Sequence, residues 1–307
     1  MTESEQNILV IKLGALGDFM QALGPMKAIR QHHPNAKITL LTTKPFTDLA
    51  QKSNYFDEVW IDERPKWHQP LKWLELKKKL NIGQFTRVYD LQNNDRTSLY
   101  FNLFHPKPEW VGVAKGASHR NTSPERTAGL AFYGHRQTLA LGGIESVEID
   151  NLSWVEADLT QFEIQKPYAL IVPGSAANRP EKRWAVENFI WVCEELIKKN
   201  IQPVLIGTAA EKDITDAIAK TCDGALDLNS QTSLYDIIAL GRDAKCVIGN
   251  DTGPMHMIAP TGTPTFVLFT SHSNPKRHAP IGNTVQALLV EDMSKEDVLE
   301  NVFTKID

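Results

Sequence analysis

The sequence predicts an α/β protein made of two doubly wound parallel-sheet domains, and three observations predict it. The chain opens with strand, glycine turn, helix, strand: Asn7 to Leu13, Gly14 to Asp18, a helix with Phe19, Leu23, Met26 and Ile29 on one stripe, then Lys37 to Leu41. That is a βαβ unit, whose crossover is right-handed. Its strands are continuous apolar runs such as Ile8-Leu9-Val10-Ile11, which suits parallel strands buried on both faces. The alternation starts again at Tyr168, so the 307 residues divide into two halves, expected at 1–160 and 161–307.

The elements follow in order. Pro45 to Gln51 reads as a helix, Glu58 to Ile61 as a strand, Leu71 to Leu80 as a helix, Arg87 to Leu91 as a strand and Trp110 to Val113 as another. Residues 115–125 are rich in turn formers and read as a loop, followed by a helix from Arg126 to Leu141 and a polar linker over 142–166. The second half reads as strand Tyr168–Val172, helix Ala185–Lys199, strand Pro203–Ile206, helix Glu211–Thr221 and helix Leu234–Leu240. Cys246 to Ile248 is a strand running into a turn at Gly249-Asn250, with Asp251 or Thr252 as helix cap and Pro254 in the first helical turn. Strands Thr265–Phe269 and Val285–Val290, a polar loop over 270–283 between them, and a helix from Lys295 to Phe303 complete the chain.

Composition narrows the classes of function. Hydrophobic residues make up 42% and charged residues 23%, as in a globular protein with a sizeable core. The net charge of −4 gives no global attraction to nucleic acid, but it is unevenly spread. Residues 1–160 hold 19 Lys+Arg and 18 Asp+Glu, and the remainder holds 33 − 19 = 14 and 37 − 18 = 19, so the N-terminal half is the better match for an anionic partner. Three dispersed cysteines, Cys193, Cys222 and Cys246, suit buried thiols in a reducing cytosol. The polar start Thr2-Glu3-Ser4-Glu5-Gln6 is not a signal peptide, and no apolar run has membrane-spanning length, so any membrane contact is expected to be peripheral.

Ligands of open α/β sheets bind beyond the carboxyl ends of strands, where this chain places four polar glycine turns. The first, Gly14-Ala15-Leu16-Gly17-Asp18, lacks the third glycine of a dinucleotide fingerprint, which disfavours an NAD enzyme. Asp18 at that helix start serves the dipole or acts as a general base, and the second role needs burial to offset the helix field. The second turn is Pro173-Gly174-Ser175, with Lys182-Arg183-Trp184 after it, suited to a diphosphate, or else a solvated basic pair beside a packing tryptophan. In the third, Gly207-Thr208, the following Glu211 could accept ribose hydroxyls or assist its own helix. The fourth is Asp251-Thr252-Gly253, with His256 one turn on, packed, capping or catalytic. No cluster of His, Cys or carboxylates has metal-ligand spacing, and no Asp-x-Asp, Walker loop or Gly-x-Ser-x-Gly elbow is present. Arg64, Lys66, Trp67, His68, Lys72, Trp73 and Lys77 to Lys79, with Lys115, His119, Arg120 and Arg126, could form one positive rim on the N-terminal half, or a solvated face.

Together these stretches resemble the heptosyltransferases of glycosyltransferase family nine over nearly the whole chain. The resemblance is carried by Ile11-Lys12-Leu13-Gly14-Ala15-Leu16-Gly17-Asp18, by Pro173-Gly174-Ser175 through Lys182-Arg183-Trp184, and by Asp251-Thr252-Gly253-Pro254-Met255-His256. It departs from the family in the long polar stretch Ala176 to Glu181 and in Ala185, where the family often has proline. The resemblance implies a GT-B fold with the active site in a cleft between an acceptor-binding first domain and a donor-binding second one. It implies inverting, metal-independent transfer of a heptose from an ADP-activated donor to the lipopolysaccharide inner core, with no cofactor. Asp18 then matches the catalytic base and Lys182 the donor-phosphate lysine. Gly17, Gly174, Ser175, Arg183, Glu211, Asp251, Thr252, Gly253 and His256 become donor contacts. Lys66, Lys115 and Arg120 are candidates for an anionic, lipid-linked saccharide acceptor, and the enzyme is expected in the cytoplasm or on the cytoplasmic face of the inner membrane, with no nucleic-acid partner. The alternatives are a GT-B transferase or epimerase using another sugar nucleotide, and a non-catalytic nucleotide-sugar binder. An epimerase would consume the sugar nucleotide without any acceptor.

Overall fold

Continuous apolar strands bury both faces of a sheet, so each half of the chain needs helices on both sides. The computed structural model describes residues 6–176 and 178–306; most of the polar N-terminal stretch and one residue of the Ala176–Glu181 segment lie outside the described residues. Two compact units result, Met1–Asp150 and Asn151–Asp307, dividing inside the anticipated linker but earlier than residue 160.

In the first unit, β1 (Asn7–Ile11), α1 (Leu16–His32), β2 (Lys37–Thr42), α2 (Thr47–Lys52), β3 (Glu58–Ile61) and α3 (Pro70–Ile82) are followed by β4 (Arg87–Asp90), α4 (Asp95–Phe101), β5 (Glu109–Gly112), β6 (His119–Arg120) and α5 (Ala131–Leu141). The strands pair in parallel in the order β3-β2-β1-β4-β5-β6. Leu9, Ile11, Leu41, Val88 and Trp110 share one core with Leu76 and Leu80 of α3. Ile8, Val10, Ile38 and Leu40, at the alternate positions, are fully buried on the other face. The helix expected from Arg126 begins at Ala131, because Pro124–Thr127 forms a separate 3₁₀ turn capped by Ser123.

The second unit holds β7 (Tyr168–Val172), α6 (Val186–Lys198), β8 (Gln202–Leu205), α7 (Lys212–Thr221), β9 (Leu226–Asp227), α8 (Leu234–Asp243), β10 (Cys246–Asn250), α9 (Gly253–Ile258), β11 (Thr265–Phe269), α10 (Pro275–His278), β12 (Val285–Leu289) and α11 (Lys295–Ile306). Its parallel order, β12-β11-β10-β7-β8-β9, is that of the first unit: the third strand at one edge, the sixth at the other, the first beside the fourth. Within β7, Ala169 and Ile171 pack with Phe189 and Cys193 of α6, while Tyr168, Leu170 and Val172 pack with Leu240, Met255 and Ile258 of α8 and α9. One strand thus serves two cores, which is why its sequence shows no polar alternation. Among the described residues, no helix is long and apolar enough to cross a membrane.

Candidate active site

In both sheets the chain reverses its direction of strand addition between the first and fourth strands, which leaves a crevice at their carboxyl ends. In the second unit these strands are β7 and β10. Val172 lies opposite Gly249, so Pro173-Gly174-Ser175 and Asp251-Thr252-Gly253 leave the sheet side by side. Gly249 and Asn250 are strand residues, not the turn that their types suggest. A Cβ at Gly249 would sit 2.6 Å from the Val172 Cβ, so its glycine serves close strand packing rather than an unusual dihedral. Asn250 is fully buried and joins three segments. Its amide donates to the Pro173 carbonyl at 2.7 Å, and its Oδ1 accepts from the Trp184 N–H at 3.0 Å.

That staple places the basic pair. Lys182 ends a 3₁₀ turn, Pro180–Lys182, and its Nζ lies 2.6 Å from Asp251 Oδ2. The Lys182 side chain is only 18% exposed and that of Asp251 6%, so this is not the solvated surface pair that charge runs usually make. Ser273 donates to the same Asp251 oxygen at 2.6 Å. Thr270, from the same loop, donates to the Glu181 carbonyl at 3.0 Å. Arg183 lies on the glycine turn, with Nε 3.1 Å from Ser175 Oγ and Nη2 3.2 Å from the Ser175 carbonyl. Trp184 packs edge-on to Phe189 in the core.

Glu211 adopts the local role and also reaches the site. Its Oε2 accepts from the Thr208 N–H at 2.7 Å and the Thr208 hydroxyl at 2.6 Å, closing a capping box. Its other oxygen lies over the second turn: a Cβ at Gly174 would stand 2.2 Å from Glu211 Oε1. Gly174→Ala is therefore expected to push Glu211 off its cap. Affinity for a ligand held through Glu211 should fall about tenfold at unchanged overall fold, measured by calorimetric titration and circular dichroism; unchanged affinity would show that Glu211 does not hold it.

At the fourth turn, Thr252 occupies the cap position of α9 with extended dihedrals, but its side chain makes no cap bond, and Pro254 falls in the first turn. Asp251 does not cap either, being committed to Lys182 and Ser273. Gly253 opens α9, and His256, half-buried, sits one turn in.

In the first unit the crevice lies beyond β1 and β4, whose Ile11 and Asp90 are in register. Gly14 takes φ +121, open to glycine, and a Cβ there would also meet Phe46 at 2.8 Å. Gly17 and Asp18 lie in the first turn of α1. Asp18 is exposed, so the burial that a base at a helix start would need is absent here. Behind it lies a buried charge cluster that the motifs do not announce. Lys12 is 3% exposed and its Nζ donates to the Leu91 carbonyl at 3.2 Å. Burial lowers its pKa to about 8, against the pull of Asp18 and Asp90. Asp90 is fully buried, and burial raises its pKa from 3.8 to about 6, resisted by the Asn93 and Gln92 N–H groups and the Lys12 charge. His135 of α5 is 5% exposed, with neither ring nitrogen hydrogen-bonded among the described residues, and burial beside Lys12 keeps it neutral.

The pH dependence of stability follows from these shifts. A raised Asp90 stabilises the fold fully below pH 3.8 and loses that contribution as pH rises to about 6. His33, held at about 4 mainly by burial, acts in the opposite sense, costing stability as pH falls from 6.5. The difference between wild type and Asp90→Asn isolates the first effect. The variant should gain about 1–3 kcal/mol relative to wild type between pH 4 and pH 6.5 in urea unfolding; parallel profiles would contradict it.

Lys66 lies in the segment after β3, which packs on α4 where Arg96 Nη1 donates to the Pro65 carbonyl at 3.2 Å, and Lys115 and Arg120 lie around β6. All three are exposed, and Arg120 Nε donates to the Val113 carbonyl at 3.2 Å.

Comparison with known proteins decides what this pair of sheets belongs to. The model of glycosyltransferase family 9 (heptosyltransferase) matches residues 139–306, more than half of the chain. The chain belongs to glycosyltransferase family 9. This family 9 transferase is 25% identical over 314 residues to the lipopolysaccharide core heptosyltransferase OpsX of Haemophilus influenzae, covering 96% of this chain and 88% of that protein. It superposes on the family 9 glycosyl transferase of Veillonella parvula with a TM-score of 0.79 at 20% identity, covering 100% and 98% of the two chains. The Escherichia coli ADP-heptose lipopolysaccharide heptosyltransferase II gives 0.73 at 19% identity, with 98% of each chain covered. These two likenesses show the GT-B fold.

The motifs gave no role to Asn250 and Ser273, which brace the second unit's turns, nor to Asp90, and Lys12 stood in the first motif with no role of its own. An asparagine ending an apolar strand and a lysine interrupting one were the available signals. Ser273 offered none, because its partner lies in another loop.

Proposed function

We propose that this transferase moves a heptose from an ADP-activated donor to the inner core of lipopolysaccharide, with inversion and without a metal ion. The observation that carries the reading is the Lys182–Asp251 pair at the crevice of β7 and β10, with Arg183 laid on Ser175 beside it. An ammonium has three donors. Asp251 occupies one, and the others are left for a diphosphate. ADP-heptose and lipopolysaccharide are named for the relatives, and the charge pattern suits both.

In this reading the donor lies on the second unit. Gly174, Ser175, Thr252 and Gly253 let its phosphates approach backbone, Glu211 Oε1 takes a ribose hydroxyl and His256 borders the site. Gly17 and Asp18 of the first unit serve the reacting end. Once bound donor and acceptor cover it, Asp18 removes the proton of the acceptor hydroxyl as its oxygen bonds to the anomeric carbon. The bond from that carbon to the diphosphate breaks on the opposite face, and the electron pair leaves with ADP. Lys182 and Arg183 stabilise the charge that develops there, the task that a metal ion performs in other transferases. Lys66, Lys115 and Arg120 meet anionic groups of a large lipid-linked acceptor at the cytoplasmic face of the inner membrane.

The test is thermal stabilisation by a panel of nucleotide sugars. An ADP-sugar at 100 times its Kd should stabilise the protein by about 2.7 kcal/mol, with UDP and GDP conjugates ineffective. Equal shifts across the panel would overturn the ADP assignment and favour another sugar nucleotide.

A further inference from the structure

Ten large hydrophobic side chains are exposed among the described residues, and five of them, Ile61, Trp67, Leu71, Leu74 and Ile82, fall within residues 61–82. Single exposed apolar residues need no explanation, but a cluster does. The cluster follows from the helical repeat. In α3, Leu76 and Leu80 face the core, whereas Leu71, Leu74, Lys78 and Ile82 recur at three- and four-residue spacing on the opposite side. Leu71 is 73% exposed, Ile82 67% and Leu74 61%. Trp67, in the turn before the helix, is 88% exposed. That turn is fixed: the Trp73 indole N–H donates to the Lys66 carbonyl at 3.0 Å, and the Lys66 N–H donates to Gln69 Oε1 at 2.9 Å.

The charges around this stripe identify its partner. Residues 63–82 carry six basic and two acidic side chains, and one of the acids, Glu63, is bound to Lys72 at 2.9 Å. A second copy docking the same face across a twofold axis would bring six basic residues against six, which is unfavourable. An anionic lipid surface is complementary. Apolar side chains enter the acyl boundary, a tryptophan sits at headgroup level, and lysine stems run outward along the apolar stripe to the phosphates. A helix of 13 residues, about 20 Å long, lies in the plane of the interface rather than across it.

We propose that the outward face of α3, with Trp67 at its foot, docks this transferase on an anionic bilayer. The inference rests on the reading that the acceptor is lipid-linked, and it assigns the membrane contact to inserted apolar side chains as well as to the positive rim.

The experiment is co-sedimentation with phosphatidylcholine vesicles, with and without about 30% phosphatidylglycerol, comparing wild type with a variant carrying Trp67→Ser, Leu71→Gln and Leu74→Gln. Wild type should bind the anionic vesicles, more weakly as salt is raised, and the variant should bind at least about tenfold more weakly. The emission lost in Trp67→Phe should be the component that shifts to the blue on binding. Transfer to a deacylated, water-soluble acceptor should be equal in wild type and variant, which shows that the fold and chemistry are intact. Equal vesicle binding by the variant overturns the docking proposal and leaves the transfer reading standing. Absence of transfer to the soluble acceptor in wild type, with vesicle binding retained, overturns the transfer reading instead. A wild-type dimer that the variant abolishes at unchanged vesicle binding assigns the face to a second copy and overturns the proposal.

Discussion

Asp18→Asn should lower the transfer rate by about 10²- to 10⁴-fold, the range for losing a general base, while ADP binding and thermal stability stay at wild-type values. The selectivity of that loss is what makes it informative. Asp18 is exposed, and its carboxylate makes no hydrogen bond or ion pair among the described residues, so its removal breaks no such bond, and the buried Lys12 keeps the charge of Asp90 and its bond to the Leu91 carbonyl. The groups proposed to bind the donor belong to the other unit and keep their partners. Single-turnover kinetics with saturating donor, alongside calorimetric ADP titration, separate the two effects. Wild-type transfer would remove Asp18 as the base; loss of ADP affinity in step with rate would make it a binding residue.

Lys182→Met carries the second large effect, and it is mixed. If Lys182 stabilises the leaving diphosphate as proposed, its loss should cost about 10²- to 10³-fold in kcat and also raise the donor KM. The same change leaves the Asp251 carboxylate, 6% exposed, with Ser273 as its remaining side-chain partner. An unpaired buried charge destabilises by up to about 3–5 kcal/mol, less here because Lys182 is partly exposed, so the melting temperature should fall by several degrees. Adding Asp251→Asn to Lys182→Met removes the orphaned charge. The double variant should recover most of the melting temperature and none of the transfer. Recovery of both together would mean that Lys182 acts through the fold and not on the substrate.

The two sheets were legible because parallel strands buried on both faces are written as unbroken apolar runs, as in β1, β7 and β11. What escaped is short or borrows its stability from elsewhere. In α4, seven residues are too few for a helical repeat to emerge, and its start is an Asn94–Thr97 capping box rather than the commoner serine–glutamate form. The two-residue strands β6 and β9 exist only as edges of sheets laid down by β5 and β8. The site divides in the same way. Glycines and charged residues at strand ends mark where a ligand can approach, but not which groups hold one another. Lys182 meets Asp251 across 69 residues, and Lys12 reaches the Leu91 carbonyl across 79. Such pairs are set by strand order, and neither sequence neighbourhood contains them.

The account's central claim is heptose transfer from an ADP-activated donor with inversion and no metal. It is tested most directly by incubating the purified enzyme with ADP-heptose of defined anomeric configuration and a heptose-free core acceptor, with a chelator in excess, and reading the new linkage by NMR. The account predicts a heptosylated core of inverted anomeric configuration, formed at a rate that the chelator does not change. A retained configuration, a chelator-sensitive rate, or donor consumed with no heptose on the acceptor would contradict it.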